Sequence, residues 1–155
     1  MVKSKQKNNN KNKRANFICS RNTLDGVYPP LILALQAKRA GAETMIFFTF
    51  DGIDVIRKDG LKKIKYYPNG LLGALPGVPA ASTRMMTKLA EERAGVPNIE
   101  TLLEMCRLEG VKLHACLMTM QMMNLQPEDF IEGVEVSDAA SYIKTALESD
   151  VNLFI

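Results

Sequence analysis

Short, dense apolar runs alternate along this chain with longer stretches in which apolar positions recur every three or four residues. NFICS (16–20) is a β-prone run that breaks into the polar RNTLDG, the pattern of a buried strand followed by a loop. Residues 24–39 place Leu31, Leu35 and Lys38/Arg39 at helical spacing, stop at Gly41, and carry Pro29 and Pro30 near the start or at a kink. ETMIFFTF (43–50) is almost continuously apolar, as a parallel strand covered on both faces should be. DGIDVIRKDG then predicts a short helix or turn ending at Gly60, and 61–81, rich in Gly, Pro and Tyr, has no periodicity. Some twenty irregular residues inside a domain are usually functional or an interface.

The second half resumes the alternation. Ser82 is positioned to cap a helix reaching Ala94, with Met85, Met86, Leu89 and Ala90 on its apolar face, before Gly95 and Pro97. Asn98 is positioned to cap another, with Leu102, Leu103, Met105, Cys106 and Leu108 inside and Gly110 as its stop. Residues 111–116 read as a third core strand, 119–124 as a helical turn, Pro127 as the start of another turn, and 134–136 as a small strand. Ser137 or Asp138 caps a helix to Glu148, and VNLFI closes the chain as a strand. The alternation predicts a mainly parallel sheet of about five strands in a three-layer α/β/α sandwich of Rossmann-like type.

Charge changes the picture at one end only. The net charge is +3, but residues 1–14 hold six of the 20 basic groups and no acid, leaving 14 basic against 17 acidic residues in 15–155. The expected organisation is a basic, Asn-rich disordered tail over 1–14 and a single domain over 15–155. No aromatic-plus-basic face follows that would suit nucleic acid. No run reaches the roughly 18 residues of a membrane span; GLLGALPGVPAA (70–81) is too short and holds two prolines. Without a signal-peptide core in the N-terminal stretch, the expected location is cytoplasmic.

Candidate chemistry rests on thiols. Cys19, Cys106 and Cys116 form no CxxC pair and His114 is the sole histidine, which argues against structural zinc and a disulfide framework. No cofactor motif is present, since GLLGALPG neither follows a strand nor ends in Lys-Ser/Thr. Ligands of open parallel sheets bind at the carboxyl ends of strands, which places Cys19 and Cys116 at one edge and leaves Cys106 on a helix face as core. The turn LMTMQMM after Cys116 would aim backbone N–H groups at the sulfur and favour thiolate. Cys19, with Arg21 beside it, is a candidate second thiol. His114 leaves the same strand face as Cys116, but about 7 Å away, too far for direct pairing. Met118, Met120, Met122 and Met123 invite a Cu(I) reading against one of packing. On these grounds reaction and packing remain evenly matched for Cys116.

FFTFDGIDVIRK (47–58), the Met- and Gly-containing middle, and above all EGVKLHACLMTMQMMNLQPEDFIEGVEVSDAASYI (109–143) resemble the DsrE/DsrF-like proteins, in particular the DsrE-related single-domain branch sometimes labelled as a peroxiredoxin family. No peroxidatic Thr-xx-Cys motif accompanies the resemblance. It implies an α/β/α domain that forms homo-oligomers. It also implies a sulfur carrier or sulfurtransferase-like protein in which Cys116 holds persulfide or thiosulfonate for exchange with TusA-like or rhodanese-like partners. The alternative is a non-catalytic oligomeric module with a Met-rich interface, and Cu(I) binding is a weaker third.

Overall fold

The computed structural model describes residues 13–155. Most of the stretch expected to be a tail lies outside them, and Arg14 already opens the first strand, where it pairs with Glu43 and Glu148. Strands β1 (Arg14–Cys19), β2 (Glu43–Phe48), β3 (Lys112–Cys116), β4 (Val134–Ser137) and β5 (Val151–Phe154) form one sheet in the order β4-β3-β2-β1-β5. Every pairing is parallel.

The helices are α1 (Leu24–Arg39), α2 (Val78–Ala94), α3 (Ile99–Leu108), α4 (Leu117–Met122) and α5 (Ala139–Leu147). Side chains alternate across a strand, so each strand serves two cores. One face sends Phe17, Cys19, Ile46, Phe48, Leu113 and Ala115 into the main core with α1 and α3. The other sends Met45, Phe47 and Cys116 against Tyr142 of α5, with the Phe47 and Tyr142 ring centroids 4.7 Å apart.

Pro29 and Pro30 lie inside α1 without ending it. A proline at position 30 leaves the Gly26 carbonyl without its helical donor, and the Cys19 thiol stands 3.9 Å from that oxygen. Asn98 caps α3 as expected, accepting from the Thr101 N–H, and Asp138 rather than Ser137 caps α5 through the Ser141 N–H.

Two expectations are corrected. Helix α2 begins at Val78, four residues before Ser82, because Gly77 takes a left-handed φ of 84° and Pro79 suits the first turn. None of its residues is fully buried: Met85 is 57% exposed, as is Leu108 of α3 at 71%, whereas Met86 packs against the main core and Leu89 and Ala90 are half-buried. Segment 61–81 is also less irregular than its composition suggests, with 3-10 turns at Gly60–Lys63 and Leu71–Ala74.

Candidate functional site

Cys116 is the last residue of β3 and the N-cap of α4, so strand and helix meet at its sulfur. An N-cap side chain is placed to accept from the N–H groups of the second and third helical residues, here Met118 and Thr119. Burial raises the Cys116 thiol, but the Thr119 N–H and hydroxyl, the Thr49 hydroxyl and the Met118 N–H outweigh it and hold the thiol below its ordinary value. The side chain closes no short capping bond, so these groups act as oriented dipoles.

The hydroxyls are themselves fixed. Thr49 Oγ1 and Thr119 Oγ1 lie 3.1 Å apart, and the Phe50 N–H donates to Thr119 Oγ1 at 3.1 Å. Each hydroxyl has one proton. One proton must fill the Thr49–Thr119 bond, so one remains to point at sulfur, whichever threonine supplies it. Phe50 delivers its N–H from a left-handed φ of 47°, a costly conformation for a non-glycine residue and of the kind that gathers at functional sites. The loop closes tightly: a Cβ on Gly52 would stand 2.2 Å from the Cys19 carbonyl oxygen. Beyond it Asp54, held below the usual carboxylate range despite burial by Lys63, Arg57 and Asn22, ties three loops together.

The three cysteines divide sharply. Cys19 does reach the carboxyl end of β1, but its side chain enters the main core on the opposite face from Cys116 and is fully buried. Burial pushes its thiol up to about 12, and its contact with Arg21 is to the backbone carbonyl, at 3.7 Å. Cys106 is likewise fully buried, donates to the Leu31 carbonyl at 3.4 Å, and is pushed up to about 12, mainly by burial. Cys116 lies in the smaller cluster with Met45, Phe47 and Tyr142 and is 4% exposed.

His114 shares the Cys116 face, and its Nδ1 pairs with Ser137 Oγ at 2.6 Å. Ser137 is the cross-strand neighbour of Cys116. Burial chiefly lowers the His114 pKa and favours the neutral ring. Of the methionines, Met120 points into the core, whereas Met118, Met122 and Met123 are exposed, so the four do not converge on one ion. Among the described residues no group of three or more His, Cys, Asp or Glu side chains is placed to hold a metal.

Thr49, Thr119 and Phe50 were not among the residues singled out from sequence. The only signal was Thr119 three places after Cys116, at the third helical position of the turn.

A model of the DsrE/DsrF/DrsH-like family matches residues 11–154. The chain belongs to this family. It is similar to the sulfur carrier protein DsrE2 of Allochromatium vinosum, 35% identical over 159 residues, covering 92% of this chain and 98% of that protein. It is also similar to the uncharacterized protein YrkE of Bacillus subtilis, 30% identical over 158 residues, with 92% and 97% covered. Among solved structures the fold resembles the YchN protein of E. coli, with a TM-score of 0.60, 16% identity, and 92% and 99% of the two chains covered. The mainly parallel α/β/α sandwich of about five strands read from the sequence is the fold observed, with five strands, all of them parallel. Among the described residues no helix is long and apolar enough to cross a membrane.

Proposed function

We propose that this protein is a sulfur carrier in which Cys116 accepts and releases sulfane sulfur. The observation that carries the reading is a buried thiol at the junction of β3 and α4, packed against Met45, Phe47 and Tyr142 and held below its ordinary pKa by the neighbouring Thr119 and Met118 N–H groups and the Thr119 and Thr49 hydroxyls. Such a setting favours thiolate, the form that attacks sulfur. The name of the Allochromatium vinosum relative supports the same reading.

In the loading step the Cys116 thiolate attacks the outer sulfur of a donor R–S–SH. A new S–S bond forms at Cys116, the donor S–S bond breaks, and R–S⁻ leaves with its electron pair. Handover is the reverse exchange: a partner thiolate attacks the outer sulfur, forms its own S–S bond, and displaces the Cys116 thiolate with its electron pair. No external oxidant or reductant is consumed. The dipoles that stabilise the Cys116 thiolate also make it a good leaving group, which suits a carrier that must release its cargo. Helix α5 has to yield for a donor to enter, and Tyr142 is its one buried residue. Cys19 has no part in this exchange, and His114 acts at most by orienting Ser137 beside the sulfur. TusA-like or rhodanese-like proteins in the cytoplasm are the proposed partners.

A second reading, an oligomeric interaction module, draws on apolar side chains exposed on several elements. Phe50, Met118, Met122, Ile143 and Phe154 are each more than half exposed. A homo-oligomer burying them is compatible with carriage of sulfur. Incubation with thiosulfate, tetrathionate or polysulfide followed by intact mass separates the readings. The carrier gains sulfur, retains that gain in Cys106→Ser and loses it in Cys116→Ser; no gain with any donor overturns the carrier reading.

A further inference from the structure

A second region, unrelated to the thiol, stands out by its charge and its exposure. Residues 66–83 contain no charged side chain, yet cations bracket them, with Lys62, Lys63 and Lys65 before and Arg84 and Lys88 after; Lys62, Lys63 and Lys88 pair with Asp59, Asp54 and Glu92, and the lobe keeps a basic excess beyond those pairs. The apolar residues within are not buried: Leu71 is 89% exposed, Leu72 61%, Leu75 50% and Tyr67 50%. Gly70 and Gly77, both at positive φ, turn the chain at either end of this tip. The surrounding lobe, 51–98, has eight basic against five acidic residues, whereas the rest of 15–155 has six against twelve. The molecule is therefore polarised, and its most exposed leucine, Leu71, sits with Leu72 and Leu75 on its cationic end.

From this arrangement we infer that the 66–83 tip inserts into the interface of an anionic lipid surface. Exposed leucines, an exposed Tyr67 and flanking lysines supply the kinds of group that acyl chains, the interfacial zone and anionic headgroups respectively take. The tip is too short and too broken by proline to span a bilayer. A second copy packing tip to tip would bring two cationic lobes together, which like-charge repulsion opposes. Such a contact would bring the domain to a membrane surface by electrostatic attraction and shallow burial, leaving the Cys116 edge on a different part of the fold.

The test uses the full chain and sedimentation with vesicles of phosphatidylglycerol and phosphatidylcholine, against phosphatidylcholine alone. Binding is expected on the anionic vesicles only, weakening with salt, and falling at least about tenfold in Leu71→Asp/Leu72→Asp. Circular dichroism and the melting temperature of the double variant should match the wild type, since neither side chain is buried. Absence of wild-type binding overturns the inference. So does undiminished binding by the double variant, which would place the attraction in basic residues elsewhere, including those of 1–14. Light scattering supplies a third refuting result: a loss of oligomer mass in the double variant, without vesicle binding by the wild type, would assign the tip to a second copy.

Discussion

Replacing Thr119 with valine keeps the shape of the side chain and removes the hydroxyl on which the Cys116 environment turns. In the wild type Thr119 Oγ1 holds the Phe50 N–H and Thr49 in place while one hydroxyl proton points at sulfur. Without Thr119 Oγ1 the Thr49 hydroxyl loses the partner that orients it, and a hydrogen bond to a charged acceptor contributes about 1.5 kcal/mol, so the loss of the oriented donor reduces the thiolate population at neutral pH roughly tenfold. The more basic thiolate is also the better nucleophile, by roughly threefold for that change at a Brønsted slope of about 0.45. The net expectation is alkylation by iodoacetamide roughly threefold slower at neutral pH and roughly threefold faster once pH exceeds the thiol pKa in both proteins. Intact mass reports Cys116 alone, because Cys19 and Cys106 are fully buried with thiols near about 12. Thr119→Ser should restore the wild-type profile. Identical profiles for wild type and valine variant refute the reasoning. A variant slower at every pH also refutes it, since that would mean altered access rather than altered basicity.

Gly52→Ala should be costly out of proportion to one methyl group, because the new Cβ would meet the Cys19 carbonyl at 2.2 Å. A loss of roughly 1–3 kcal/mol or more is expected in chemical denaturation, with slower Cys116 alkylation as the Thr49–Phe50 turn moves. His114, whose folded pKa is lowered chiefly by burial, is protonated first in the unfolded chain, so stability falls as pH drops below about 6.5. The melting temperature of His114→Gln should decline less over that acid interval than that of the wild type.

Much of the fold was legible because strand periodicity and helix punctuation agree at each step. The run ETMIFF became a buried strand, and Asn98 capped its helix, accepting from the Thr101 N–H. Helix α2 was placed late because Ser82 looks like a cap, while the true start uses a left-handed glycine and a proline, a device without a polar signature. Within α2 the periodicity grouped Met85 with Met86, yet only Met86 packs against the main core while Met85 is 57% exposed: periodicity says which residues share a face, not how much of it a core covers. For the site, Cys116 and the turn after it were readable, since strand end and helix start fall on one residue. Cys19 was correctly put at a strand end, but the face it occupies depends on register. Its odd-numbered place in β1, shared with Ala15 and Phe17, sends it to the main core. Thr49 could not be found at all, because it meets Cys116 only through the pairing of β2 with β3.

The central claim is that Cys116, alone of the three thiols, carries sulfane sulfur. Loading the protein with polysulfide, trapping with iodoacetamide, and locating the label by tandem mass spectrometry tests it most directly. The account predicts an alkylated persulfide on the peptide containing Cys116 and none on those containing Cys19 or Cys106. A persulfide on either of the buried thiols with Cys116 unmodified, or none on any, would contradict it.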